Sequence, residues 1–223
     1  MIEEFERPLS LVEATMKGIR SAIIGGNLSL GQILTESYLQ KSFGFSKTPI
    51  REALAQLKAE GLVVSEVHKG FRVFKMDEKE LSEFCEYRLA LESHALKNAY
   101  KNDRLELVRV LKDFIKDFKE SIKENDFNKY NLIDTKFHKS FFILSSNRYL
   151  TKNYENINGI IETIRTHTGP VIVDNYKLID SINGHISIQK HIKAKNLNLA
   201  LEELDKHINS WHDDRIIKSL LIP

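Results

Sequence analysis

Hydrophobic positions recur along most of this chain with a helical period. Leu11, Met16, Ile19 and Ile23 lie on one stripe and predict a first helix, closed by Gly25-Gly26. Thr35 is a good N-cap for a short second helix that stops at Gly44. A third helix begins at Ser46, with Pro49 in its first turn, where a missing amide costs nothing because the first amides have no helical partner. Ile50, Leu54 and Leu57 then recur at i, i+4 and i+7, which leaves Lys47, Thr48 and Arg51 facing out near the helix start; Gly61 ends the helix. Two strand-like pieces follow, LVVSEV at 62–67 and FRVFK at 71–75, joined by His68-Lys69-Gly70.

Helix, helix, helix, hairpin is the order of a winged helix-turn-helix. The pattern then changes. From Phe71 to Asn158 there is neither glycine nor proline, where average usage would place about ten, so this stretch reads as long helices. Asp77 followed by Glu80 makes a capping box that starts the first of them. The boundary therefore falls near Met76, with residues 1–76 as a small turn-rich module and 77–223 as a larger helical domain. The predicted fold is mainly α: an N-terminal winged helix-turn-helix plus a C-terminal all-α helical bundle.

Composition excludes several classes. The 223 residues are 42% hydrophobic and 29% charged, an ordinary globular balance rather than that of a disordered chain. The longest apolar runs, such as FFIL at 141–144, fall far short of the roughly 20 residues that cross a bilayer. The acidic start MIEEFERP lacks the features of a secretory signal, so a cytoplasmic location is expected. The single cysteine, Cys85, cannot form an internal disulfide, and any metal site must use histidine and carboxylate. The net charge of +2 lies wholly within residues 1–75, and 41–75 holds seven basic residues against three acidic. That local excess favours an anionic partner.

The chemistry of DNA reading fits this module. A helix N-terminus carrying Ser46, Lys47, Thr48 and Arg51 can approach base edges, with Arg51 able to fork onto guanine O6 and N7. Lys69 and Arg72 on the hairpin can grip phosphates, which gives salt-dependent affinity, while the helix gives sequence preference. A solvated charged helix beside a hairpin is the plainer alternative. The run GFSKTPIREALAQLKAEGLV at 44–63, followed by HKGFRV, resembles the signature of GntR-type transcription regulators. The resemblance implies that Ser46, Lys47, Thr48, Pro49 and Arg51 take the DNA-contacting positions, with Lys69 and Gly70 at the wing tip. Two departures stand out: Lys47 replaces the family's usual arginine, turning a bidentate contact into a point charge, and Ser37 stands where some members have a DNA-contacting arginine.

In the C-terminal part, Asp134 and His138 are four apart, which stacks them on one helix face within about 6 Å at Cβ. Phe141 shares that face. His185 sits on a stripe with Ile182, Ile186 and Ile192, and His207 on one with Leu204, Ile208 and Trp211. A lone buried histidine is usually a core residue; three with an aspartate on inward faces also suit a first-row metal such as zinc, nickel or manganese. The segments YRLALESHALKNAY and DTKFH, with His185 and His207, resemble the FCD effector domain of the FadR branch of GntR regulators. That resemblance implies a divalent metal held by Asp134, His138, His185 and His207. His94, His167, His191 and His212 read as surface or packing residues.

Arg88 lies on an apolar stripe with Leu81, Cys85, Ala95 and Ala99, and a charge there needs a partner. Either it pairs with Glu92 one turn on, or snorkels, or it forks onto the carboxylate of an effector; the resemblance implies the last. Arg165 and Asn153 are weaker candidates for the same pocket. A metal-dependent enzyme or a metal-sensing regulator is the rival reading, but the chain shows no H-E-x-x-H helix, G-x-S-x-G elbow or phosphate-cradling glycine loop. The expectation is a regulator, not an enzyme, that binds a pseudo-palindromic double-stranded operator as a homodimer under control of a small organic acid, with no membrane association.

Overall fold

The computed structural model describes residues 9–66, 70–172 and 175–221, with side chains for all of these except 170–172, 175–177 and 221. The chain divides between Lys75 and Met76 into two compact units, and each has its own core.

In the first unit α1 (Leu11–Ile24) opens with a complete capping box between Ser10 and Glu13. Its buried stripe is Thr15, Ile19 and Ile23, whereas Leu11, expected on that stripe, is 67% exposed. Leu11 is the first helical residue, at the exposed end of α1. After β1 (Ile33–Leu34), Thr35 caps α2 (Glu36–Phe43) through the Tyr38 amide, and Gly44 ends it at φ +73°. That left-handed turn is what glycine permits without strain. The helix α3 (Lys47–Ala59) buries Pro49, Ile50, Ala53, Leu54 and Leu57 against α1 and α2. Arg20 of α1 forms an ion pair with Glu60 at the end of α3.

The strands β2 (Val63–Glu66) and β3 (Gly70–Val73) pair antiparallel, Val63 opposite Val73 and Glu66 opposite Gly70. The sequence pattern missed β1, which adds to the other edge of β3 with Ile33 opposite Arg72. Two residues are too short to show a period, and their strand conformation comes from their partner. The order β1-β3-β2 makes a three-stranded sheet.

The second unit is helical throughout its described residues. Asp77 and Glu80 form the expected capping box at the start of α4 (Glu78–Lys123). This 46-residue span is broken at Asp103, whose φ of −154° and ψ of 88° leave the helix. The Asp103 carboxylate accepts the Glu106 amide at 2.9 Å, so it acts as the N-cap of a new helical segment. Next to the break, Asn102 donates to the carbonyls of Leu144 and Ser145 at the end of α5 (Phe127–Ser145). Then come α6 (Arg148–Ile172), α7 (Asn175–Lys193), α8 (Leu197–Asn209), a 3-10 turn at Ser210–His212 and α9 (Asp214–Leu221). The helix α4 packs along α5, α7 and α8, and their facing side chains form the core: Leu96, Phe118, Phe137, Phe141, Ile188 and Leu204 are all fully buried. Among the described residues no helix is long and apolar enough to cross a membrane.

Candidate metal centre and nucleic-acid interface

In the helical unit, Asp134 and His138 come from α5, His185 from α7 and His207 from α8. Their four ligand atoms lie within 4.8 Å of one another. His138 Nε2 is 3.2 Å from His207 Nε2 and 3.3 Å from His185 Nε2, and Asp134 Oδ1 is 3.3 Å from His185 Nε2. For metal–nitrogen bonds of ~2.0–2.1 Å the edge of a coordination tetrahedron is about 3.3–3.4 Å. His138 Nε2 meets both other ring nitrogens at that spacing, and with a carboxylate beside them the group fits a divalent first-row ion.

The chemical state of Asp134, His185 and His207 agrees with that use. Burial alone would raise the Asp134 carboxyl, yet Arg165, His138 and His185 hold it well below its ordinary range. Burial lowers both His185 and His207, and for His207 the neighbouring imidazoles push further the same way. Both rings are thus neutral, the form that binds metal. On one side the cluster is walled by aromatic rings. Phe118 stacks on His185 with centroids 4.5 Å apart, and Phe137 presents its edge to His185 at 4.6 Å. On the other side Asp134 and His207 face a cavity of about 760 Å³, whose wall also includes Arg88, Arg165 and Trp211.

Arg88 does what the plainer reading expected and also lines the cavity. Its Nε donates to Glu92 Oε1 at 2.6 Å, with the two side chains 2% and 0% exposed. Its guanidinium lies 4.8 Å above the Trp211 ring, and one terminal nitrogen is buried without a hydrogen-bond partner. Glu92 takes both Arg88 and His138, and against burial these bring its carboxyl down to about 2. Arg165 is buried, forms an ion pair with Asp134 and donates to Thr135 Oγ1 at 2.7 Å. Asn153 does not reach this place: it is exposed and donates to the Tyr149 carbonyl. Of the remaining histidines, His94 and His212 are exposed, and His167 Nδ1 lies 2.9 Å from the Thr163 carbonyl.

In the first unit Ser46, Lys47, Thr48 and Arg51 are all exposed around the start of α3. The Ser46 side chain makes no cap hydrogen bond, and the first turn carries no acidic residue. Pro49 differs from the other four: it is buried with Ile50, so it shapes the first turn from inside rather than offering contact surface. The helix position explains this, since Pro49 falls on the same side as Ala53 and Ile50. Arg51 Nε donates to Glu36 Oε1 on α2 at 2.5 Å, which lowers the Glu36 carboxyl. Glu36 thus holds the arginine in place, a role the sequence alone does not display. Gly70 has φ +90° at the start of β3, and Lys69 lies outside the described residues. Arg72, expected to grip phosphate, pairs with Glu66 across the hairpin at 2.7 Å. Its charge is therefore already partly neutralised within the sheet.

Residues 11–73 match the family described as "Bacterial regulatory proteins, gntR family", and residues 83–210 match the FCD domain. The chain belongs to the GntR family. This GntR protein is 27% identical over 200 residues to the gluconate operon transcriptional repressor of Bacillus subtilis (strain 168), covering 87% of this chain and 81% of that one. With the gluconate operon transcriptional repressor of Bacillus licheniformis it shares 28% over 196 residues, 86% and 79% of the two chains. The solved structure of E. coli McbR/YncC has the same fold, with a TM-score of 0.73 at 19% identity over 91% of this chain and 95% of that one. The GntR protein is thus a DNA-binding transcription regulator with an FCD domain and not an enzyme.

Proposed function

We propose that this regulator binds a pseudo-palindromic operator as a homodimer, and that a small organic acid at a metal-containing pocket in residues 77–223 sets its operator affinity. Ser46, Lys47, Thr48 and Arg51 would meet DNA from α3, with Lys69 and Gly70 at the wing; residues 1–76 form the DNA-binding domain. Asp134, His138, His185 and His207 would hold the divalent ion. Two-fold symmetry of protein and operator lets two recognition helices double the few base contacts that one offers.

The observation that carries the reading is the convergence of four donors, two of which, Asp134 and His207, lie on the wall of a cavity that also holds the buried guanidinium groups of Arg88 and Arg165. Charge balance says what such a cavity takes. Arg88 and Arg165 are offset by Glu92 and Asp134, so a bound divalent ion leaves the buried cluster with an excess of two positive charges. Buried charge needs a counter-charge. The ion, when bound, supplies positive charge and open coordination positions; the unpartnered nitrogen of Arg88 supplies a directed hydrogen bond. Both favour a carboxylate. Two relatives are named for a gluconate operon, and gluconate belongs to that chemical class. Ligand binding would act by favouring one spacing of the two recognition helices, because only differential affinity for two states shifts DNA binding.

The test has two parts. Protein purified without an affinity tag is assayed for metal by mass spectrometry beside His207→Ala; about one ion per chain, lost in the variant, is expected. Operator affinity is then measured by fluorescence anisotropy across a panel of organic acids. No uptake of zinc, nickel or manganese, or an affinity unmoved by every acid, would refute the pocket.

A further inference from the structure

Glu92 is a buried acid that touches none of the cavity-lining ligands, and the metal reading above leaves it without a task. Its two oxygens are both engaged. Oε1 accepts from Arg88 Nε at 2.6 Å, and Oε2 lies 2.6 Å from His138 Nδ1. All three side chains are buried, with Arg88 and Glu92 one helical turn apart on α4 and His138 facing them from α5. A carboxylate only accepts, so His138 Nδ1 must carry the ring hydrogen. In the neutral ring that binds metal, the lone pair is then on Nε2, the atom that meets the Nε2 atoms of His185 and His207.

We infer that Glu92 is a positioning residue for the metal: held by Arg88, it locks His138 in the Nδ1–H tautomer and orients its Nε2 toward the ion. This inference rests on the metal reading and deepens it. It also assigns Arg88 a duty inside the protein, as the clamp on Glu92, beside any contact it makes in the cavity. Outer carboxylates of this kind fix both the tautomer and the ring plane of a ligating histidine.

The donor count explains why the residue must be an acid. Arg88 Nε–H and His138 Nδ1–H are two donors, and Glu92 offers an acceptor to each. Glutamine has the same shape but one acceptor. In Glu92→Gln the amide oxygen satisfies the buried guanidinium, and the amide NH2 turns to His138 Nδ1. That contact reverses the tautomer, placing the hydrogen on Nε2, where it points at the other two ligand nitrogens. Glu92→Gln should therefore weaken metal binding with all four ligands intact.

The experiment measures the zinc dissociation constant by chelator competition in the full-length wild type and in Glu92→Gln, with imidazole nitrogen NMR of the zinc-free proteins. We expect zinc to bind about 10–100-fold more weakly in the variant. The His138 signal should report Nδ1–H in the wild type and Nε2–H in Glu92→Gln, a change that a merely structural role would not produce. Equal zinc affinity within twofold overturns the inference and leaves the metal reading standing. Wild-type protein that takes up no zinc overturns both. Should Glu92→Gln fail to fold, the wild-type spectrum decides alone: Nε2–H at His138 in the zinc-free protein refutes the tautomer lock.

Discussion

Gly184 offers a sharp test of the proposed metal pocket, because one added methyl acts oppositely with and without the ion. It lies in α7 next to His185, where α7 meets α8, and a Cβ built there would be 3.0 Å from His207 Nδ1 and 3.6 Å from His207 Cβ. Ordinary contact begins near 3.4 Å, so the His207 ring must retreat by about 0.4 Å, beyond the ~0.2 Å tolerance of a metal–ligand bond. Without metal the ring has a cavity to move into. There Gly184→Ala gains helix propensity, about 1 kcal/mol, which in a unit of this size raises Tm by about 2–4 °C. With metal the ring is pinned. A tenfold loss of affinity corresponds to about 1.4 kcal/mol less stabilisation by saturating metal, or a metal-induced rise in Tm smaller by roughly 3–6 °C. Thermal melts of wild type and Gly184→Ala with and without zinc decide the matter. A metal-induced rise equal in the two proteins would refute the placement of His207 at the ion.

Further predictions follow from the same geometry. Arg51→Ala should weaken operator binding by about 1–3 kcal/mol, roughly 5–150-fold, and relax preference at one base pair; anisotropy titrations against operator and scrambled DNA would show it, and an unchanged ratio would remove Arg51 from base reading. Lys47→Ala should lower affinity for all DNA alike and make the slope of log K against log salt shallower by about 0.9, provided Lys47 meets a phosphate. Leu54→Ala, at a fully buried position on the inner face of α3, should cost about 2–5 kcal/mol of stability in denaturant unfolding. Asp77→Ala removes the half of the capping box in which the Asp77 carboxylate accepts the Glu80 amide, leaving the backbone half to Glu80 in place, and should cost about 1 kcal/mol; no change in the unfolding midpoint would mean the cap is dispensable.

Much of the first unit is legible from local chemistry. Thr35, Gly44 and Pro49 specify helix ends through their own side chains and backbones, and the apolar stripe of α3 is complete within one helix. The break at Asp103 was not legible: it interrupts a run without glycine or proline, and an aspartate can cap a helix or sit on its surface equally well. β1 escaped notice because a two-residue strand exists only through its partner. The burial of Pro49 and the pairing of Arg72 with Glu66 were not legible either, since a motif or a charge pattern says which residues are present but not which way each side chain faces here.

The four proposed metal ligands divide in the same manner. Asp134 with His138 is a pattern within one helix, and the sequence alone placed both on one face at i and i+4 spacing. It likewise set His185 and His207 on inward stripes. Whether those stripes meet was a question of how α5, α7 and α8 pack, and only the tertiary structure brought three ring nitrogens within 3.2–3.3 Å contacts. Glu92 shows the limit most clearly. Its bond to Arg88 is local and could be read from spacing, while its bond to His138 joins residues 46 apart in sequence. Periodicity encodes which face a residue occupies because a helix repeats regularly; it carries no information on which other helix that face meets, which the packing of the whole core decides.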